Sequence, residues 1–73
     1  MRQFQGLRIS EEIVLRQRCH AWKCKNPATH YAFDRWEYRG YHHCLGAYCQ
    51  PHTPSMQGVV YPRIEFDKKA KKV

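Results

Sequence analysis

The segment that decides the fold is Cys19–His52, which reads CHAWKCKNPATHYAFDRWEYRGYHHCLGAYCQPH. It contains two close cysteine pairs, Cys19-x4-Cys24 and Cys44-x4-Cys49, and His52 follows three positions after the second pair. A tight turn at each pair can direct two sulfur atoms towards one ion, and a hairpin between the pairs can bring them together. This layout is typical of a structural zinc site, in which four nitrogen or sulfur ligands surround Zn²⁺ and metal binding contributes to folding.

Two ligand sets fit the pattern, and the sequence leaves both open. The first set consists of Cys19, Cys24, Cys44 and Cys49. The second consists of Cys19, Cys24, Cys49 and His52, with Cys44 as a small buried residue. The second set resembles a treble-clef finger, in which a turn, a hairpin and a Cys-x2-His at the start of a helix surround the ion. The x4 spacing and two nearby prolines, Pro51 and Pro54, depart from the commonest form of that finger.

The composition makes a bound metal physically reasonable. The chain has 73 residues, with 13 Lys or Arg against 6 Asp or Glu, which gives a net charge of +7. A chain shorter than about 80 residues rarely stabilises itself by its hydrophobic core alone. No apolar run approaches the roughly 18 residues of a membrane span, and no secretory signal is recognisable. We therefore expect a reducing cytoplasm, in which paired cysteines bind metal and do not form disulfides.

The charge distribution also argues against catalysis. Residues 40–62 contain the second cysteine pair and three histidines but no Lys, Arg, Asp or Glu. A catalytic zinc site needs an open coordination position with an acid or base beside it, and this block offers no carboxylate. The sequence predicts that the protein is not an enzyme.

The remaining segments predict a small α+β fold with a central β-hairpin. Residues 28–38 and 41–48 are the predicted strands, joined by a turn at Arg39-Gly40. Ser10, followed by Glu11 and Glu12, predicts a short helix of about nine residues, with an extended arm as the competing interpretation. Residues 59–66 suggest a short extended piece, which Pro62 would confine to a sheet edge.

One domain, residues 1–73, is expected, with flexible termini. Its parts are a flexible arm over residues 1–9, a folded core over 10–66 and a disordered basic tail over 67–73.

The chain as a whole resembles the small RNA-polymerase-binding transcription regulators of lytic Xanthomonas phages. The features that carry this resemblance are the 73-residue length, the start Met1-Arg2-Gln3-Phe4-Gln5-Gly6 and the basic, cysteine-bearing middle. The resemblance implies a protein in the cytoplasm of a bacterial host cell that binds the amino-terminal region of the β′ subunit. It implies inhibition of initiation, by disturbing the binding of the σ factor to the core enzyme, and antitermination.

The residues themselves add three expectations about partners. A net charge of +7 attracts acidic partners, so that a zinc finger binding DNA or RNA directly is the alternative function. A polymerase binder would make at most weak contact with nucleic acid, and we expect it to be a monomer that does not bind membranes. The polymerase-contacting residues are predicted in the arm over residues 1–9, because it combines large apolar side chains with positively charged ones. They are Arg2, Phe4, Leu7 and Arg8.

Overall fold

The computed structural model describes residues 1–53 and 58–72. Within these residues, six strands form one mixed sheet, and two short α-helices connect strands. The strands are β1 (Arg2–Phe4), β2 (Leu7–Ile9), β3 (His30–Asp34), β4 (His42–Tyr48), β5 (Gly58–Pro62) and β6 (Lys71–Lys72). The helices are α1 (Glu11–Leu15), α2 (Arg63–Lys69) and a 3₁₀-helix at Gln50–His52. The prediction of a small α+β fold is confirmed.

The strand order across the sheet is β5-β3-β4-β2-β1-β6, which places the central hairpin inside the sheet. None of the helices in the described ranges is long and apolar enough to cross a membrane.

The predicted central hairpin is confirmed, with β3 and β4 shorter than the predicted strands. The two strands pair antiparallel from His30 opposite Tyr48 to Phe33 opposite Cys44. A β-bulge in this pairing leaves Leu45 without an opposite residue, and its side chain is exposed. At the far end, Arg39 and Gly40 both have positive φ, 56° and 85°, as in a type I′ turn.

Residues 1–9 were predicted to be a flexible arm, but in the structure most of them form a second hairpin. β1 and β2 pair antiparallel around Gln5-Gly6, whose φ angles of 48° and 79° again suit a type I′ turn. β2 then pairs parallel to β4, with Leu7 opposite His42. The physical reason is that Leu7 and Ile9 alternate along β2 and are both buried, at 7% and 1% exposed, which a free arm would not achieve.

The predicted short helix is present as α1, and it is shorter than expected. It begins after Ser10, whose carbonyl accepts hydrogen bonds from the N–H groups of Ile13 and Val14. The Ser10 side chain makes no capping hydrogen bond. Val14 is the residue that α1 buries. The helix is therefore stabilised more by the packing of this side chain than by capping at its start.

The predicted disordered tail over residues 67–73 is also a misprediction for its described part. Residues 67–69 complete α2, and β6 pairs antiparallel with β1. Two contacts explain this order. Phe66 is fully buried in the core, and the Tyr31 hydroxyl donates a hydrogen bond of 2.9 Å to the Asp67 carboxylate. As expected, the extended piece lies at an edge of the sheet, as β5, but it ends at Pro62, and residues 63–66 belong to α2, because Phe66 packs against Tyr31 and Phe33 of β3.

The core is built from aromatic side chains of β3 and α2. The Phe66 ring lies 5.5 Å from the Tyr31 ring and 5.4 Å from the Phe33 ring, measured between centroids, and all three side chains are fully buried. Phe4 and Tyr61 cover this cluster from β1 and β5 at 6.4 and 6.0 Å from Phe66. The core therefore depends on side chains from β1 and from α2, which lie far apart in the sequence.

Candidate metal centre

Four side chains that are distant in sequence meet beside the end of β4. One ligand atom from each of them lies within 4.8 Å of the others: Cys19, Cys24, Cys49 and His52. Three thiol sulfurs and one imidazole nitrogen could bind a metal ion. This is the second of the two ligand sets that the sequence left open.

The first pair of ligands lies on a tight loop between α1 and β3. The Cys24 N–H donates to the Ala21 carbonyl at 3.1 Å, and Lys23 has a left-handed φ of 57°, which together curl the loop. The Ala21 N–H points at the Cys19 sulfur, 3.4 Å away. The loop thus presents both sulfurs on one side and supplies a backbone donor to one of them.

The second pair lies where β4 ends. Cys49 is the first residue after the strand, and Gln50–His52 form one 3₁₀ turn that brings the His52 ring back to it. The Thr53 hydroxyl donates to the Cys49 carbonyl at 2.9 Å and ties down the end of this turn. His52 lies in a 3₁₀ turn and not at the start of an α-helix, which differs from the predicted treble-clef arrangement. Pro54, the second of the two nearby prolines, lies outside the described residues.

The distances between ligand atoms suit a tetrahedral ion. Zinc–sulfur bonds of about 2.3 Å and zinc–nitrogen bonds of about 2.0 Å imply sulfur–sulfur separations of about 3.8 Å and sulfur–nitrogen separations of about 3.5 Å. The Cys24 and Cys49 sulfurs are 3.7 Å apart. His52 Nδ1 lies 3.8 Å from the Cys19 sulfur and 3.0 Å from the Cys49 sulfur. The cluster is therefore close to the size that one zinc ion requires.

The surroundings of Cys19 favour the thiolate, the form that binds metal, whereas the pKa of Cys24 is raised: a backbone hydrogen bond from Asn26 lowers it, but burial and the neighbouring Cys49 and Cys19 sulfurs outweigh that bond. Burial of Cys19 opposes ionisation, but hydrogen bonds from the backbone N–H groups of Cys49 and Ala21 outweigh it and lower the pKa of Cys19 to about 6. The Asn26 side-chain amide lies 3.8 Å from the Cys49 sulfur and is a further weak donor. Such N–H···S contacts spread the negative charge that three thiolates would bring to one ion.

Cys44, a member of the first ligand set, is not part of the cluster. It lies within β4 opposite Phe33, and its thiol donates to the Gly46 carbonyl at 3.4 Å. Burial raises the pKa of Cys44 to about 11, so that it is a neutral thiol at physiological pH. The structure places Cys44 in the sheet as the small, largely buried residue that the second set required.

His20 makes a contact that the sequence did not indicate. The His20 Nδ1 accepts a hydrogen bond from the Ala47 backbone N–H at 2.9 Å. The backbone N–H of His20 donates to the Ala47 carbonyl at 2.8 Å. The residue after the first candidate ligand is thereby fixed to β4, the strand that ends just before Cys49. No spacing rule could have identified this contact, because it depends on the register of the loop against the strand.

The residues predicted to contact a polymerase lie in the N-terminal hairpin. Leu7 is a core residue, and Phe4 packs edge-on against Tyr61 and Phe66. Arg2 is half-buried, with its Nε 3.3 Å from the Glu11 carboxylate. Arg8 lies over the Tyr41 ring at 4.1 Å. Of this set, Leu7 is buried, whereas Arg2, Phe4 and Arg8 are partly exposed, and the two arginines carry the charge that a partner could contact.

Comparison of the chain with protein-family models, with curated proteins and with solved structures gives no match. The proposed function therefore rests on the geometry of the cluster, on the exposed surface and on the resemblance described above.

Proposed function

We propose that this chain is a zinc-stabilised binding module that regulates transcription in a bacterial host by contacting the β′ subunit of RNA polymerase. The proposal has two parts, the metal and the partner. The first rests on the cluster geometry. The second rests on the exposed surface and on the resemblance to phage polymerase-binding regulators.

The metal is proposed to be a structural Zn²⁺ ion held by Cys19, Cys24, Cys49 and His52. Three thiols and one imidazole form a complete tetrahedral set, and soft sulfur ligands favour zinc over magnesium or calcium. The cluster contains no carboxylate, and the ligands come from two separate loops. When bound, the ion would cross-link the Cys19–Cys24 loop to the end of β4.

Cys44, which lies outside the cluster, provides the matched control for testing the proposed metal ligands. Protein purified without chelator is expected to contain about one zinc per chain. Cobalt in place of zinc should give the absorption of a site with three sulfurs and one nitrogen. Cys24→Ser should lose the metal, whereas Cys44→Ser should retain it. Metal loss in Cys44→Ser with retention in Cys24→Ser would contradict the ligand assignment.

The observation that supports a binding role is the large amount of aromatic surface left in water. The side chains of Trp22, Trp36 and Tyr38 are 87%, 68% and 62% exposed, and each has a cation near its ring. Large aromatic and arginine side chains are enriched where proteins bind partners. With a net charge of +7, the chain suits an acidic partner surface.

The proposed action follows the resemblance. Binding at the amino-terminal region of β′ would disturb the binding of the σ factor and so inhibit initiation. On elongating polymerase, the same contact would promote passage through terminators. Arg2 and Arg8 are the proposed contact residues from the N-terminal hairpin, since Phe4 and Leu7 serve the core.

A pull-down with purified polymerase in the absence of DNA tests the partner. The chain should form a one-to-one complex with both core enzyme and holoenzyme, and should lower promoter-dependent transcription while raising terminator read-through. Arg8→Ala should weaken the complex. Lys25→Ala, which removes a charge from an exposed loop position, is the control. No complex with either form of the enzyme would end this proposal.

A further inference from the structure

The loop that joins β3 to β4 presents aromatic rings and arginines together. The Arg35 guanidinium lies 4.8 Å from the centroid of the Trp36 ring, and the Arg39 guanidinium lies 5.5 Å from that of Tyr38. Both rings are more than half exposed. Rings in this position contribute little to the core, so their surface is available to a ligand.

A cavity opens directly beside this loop. The His42 N–H donates to the Gly6 carbonyl at 2.8 Å, so the Gln5-Gly6 turn lies against the start of β4. The cavity measures about 430 Å³, and its walls are Gln3, Phe4, Gln5, Gly6, Tyr41, Lys69 and Lys71. This volume falls in the range of roughly 300–1,000 Å³ that small-molecule sites occupy.

Cations continue from the loop into the cavity. Arg8 lies over the ring of Tyr41, a cavity residue, and Lys69 and Lys71 also line the cavity. The side-chain oxygen of Gln3, another cavity residue, is buried without a hydrogen-bond partner among the described residues. We call the whole the tip surface; it consists of Arg8, Arg35, Trp36, Tyr38, Arg39, Tyr41, Lys69 and Lys71.

The carboxylates near the tip surface are already engaged within the chain. The Asp34 carboxylate accepts the Trp36 N–H at 3.0 Å, and the Glu37 carboxylate lies 3.8 Å from His42 Nε2. Glu65 lies 3.6 Å from the Lys69 ammonium group. The arginines of the loop thus remain available to an external anion.

We propose that the tip surface binds single-stranded nucleic acid. Its bases would stack on Trp36 and Tyr38, and its phosphates would contact the arginines of the loop and Lys71 of the cavity. Planar rings interleaved with cations match the alternation of base and phosphate along a strand. Exposed aromatic rings also occur at protein interfaces, but here rings and cations alternate along one loop, from Arg35 and Trp36 to Tyr38 and Arg39, and this alternation favours nucleic acid. This inference goes beyond the proposed polymerase contact and does not depend on it.

The chain contains a matched control surface about 20 Å away. The Trp22 ring, with Lys23 at 5.7 Å, lies on the loop bound to the opposite end of β4, and seven strand residues span roughly 20 Å. Lys23 and Arg39 also share a left-handed φ, of 57° and 56°. Trp36→Ala with Arg39→Gln, and Trp22→Ala with Lys23→Gln, therefore each remove one tryptophan and one cation of left-handed φ.

Fluorescence anisotropy of a labelled oligonucleotide of about twelve unpaired nucleotides tests the proposal on the isolated chain, without polymerase. The wild-type chain should bind, with affinity falling as salt rises. The Trp36/Arg39 variant should bind roughly tenfold more weakly, and the Trp22/Lys23 variant within about twofold of wild type. Equal losses in both variants, or binding of a polyglutamate peptide but not of the oligonucleotide, would overturn the proposal.

A second measurement needs no destabilising change. In the Trp22→Phe variant, Trp36 is the remaining tryptophan, and base stacking should quench its fluorescence when oligonucleotide is added. In Trp36→Phe, the remaining Trp22 should respond little. Quenching confined to Trp22 would place the strand on the wrong loop and refute the assignment.

Discussion

Two cysteines of this chain differ in acidity because their neighbours differ. The Cys19 sulfur accepts backbone N–H hydrogen bonds that outweigh its burial, and its pKa falls to about 6. Cys44 is enclosed within the sheet, where burial outweighs its hydrogen bonds and raises its pKa to about 11. Between these two thiols, the backbone N–H donors at Cys19 account for the difference in acidity.

The raised pKa predicts that Cys44 reacts slowly with iodoacetamide in the folded protein. A pKa of about 11, compared with 9.0 for a free thiol, leaves about a hundredfold less thiolate at pH 8. Mass mapping after timed alkylation should show this lag relative to glutathione and should show it vanish in denaturant. Because the pKa is higher in the folded state, ionisation of Cys44 opposes folding, and stability falls as the pH rises from about 9 towards about 11. Labelling of Cys44 at the glutathione rate in native protein would contradict this assignment.

The sequence predicted most of the site, and it could not choose its fourth ligand. Spacing alone identified Cys19, Cys24 and Cys49, because both ligand sets include them. The choice between Cys44 and His52 depends on where β4 ends. Cys44 is held in the ladder opposite Phe33, and the chain turns back only after Tyr48. Strand length is a property of pairing with distant residues, which ligand spacing does not reveal.

At the scale of elements, two tight turns hold the hairpins in register. Gln5 and Arg39 both adopt a left-handed φ, which is unfavourable for a residue with a β-carbon, and each is followed by a glycine that adopts it readily. Asparagine is the residue preferred at the first position of such a turn.

Gln5→Asn is therefore expected to raise the free energy of unfolding by about 0.5 kcal/mol. Urea denaturation at fixed zinc concentration measures the change. Gln3→Asn, within β1, is the control and should give no gain, because asparagine is disfavoured in strands. A Gln5→Asn protein less stable than wild type would show that the turn does not limit the hairpin.

The C-terminal helix depends on one side chain. Phe66→Ala should lower the free energy of unfolding by roughly 3–5 kcal/mol, since it removes the ring that joins β3 to α2. Ile64→Ala in the same helix is the control, because Ile64 is 72% exposed and should change stability little. Similar losses in both variants, measured by thermal unfolding, would mean that α2 contributes through helix formation and not through packing.

Periodicity and turn residues predicted the central hairpin and the edge position of β5 correctly, because those signals are local. The N-terminal hairpin was missed although Leu7 and Ile9 alternate and Gln5-Gly6 can turn. A three-residue strand such as β2 is stable only when a distant strand, β4, accepts its hydrogen bonds. The lysines after Phe66 suggested a solvated tail, and the burial of Phe66 that orders them is a tertiary effect.

At the scale of the whole molecule, metal binding is expected to be coupled to folding. Addition of a strong chelator should abolish the cooperative thermal transition of the wild-type chain, and subsequent addition of excess zinc should restore it. Circular dichroism and the dispersion of amide NMR signals measure both steps. Cys44→Ser should behave like wild type. A chelated protein with an unchanged melting temperature would show that the sheet and its aromatic core suffice without the ion.

The pairing of β6 with β1 has a consequence for the order of events during synthesis. Arg2 lies opposite Lys72, so the first and last strands of the described chain are hydrogen-bonded neighbours. Most contacts in the sheet join residues far apart in sequence, which slows folding relative to a chain with local contacts. On a translating ribosome, β1 must wait without a partner on its outer side until residues 71–72 have left the exit tunnel. Until that pairing forms, the outer side of β1 is an open strand edge on which a second nascent chain could pair.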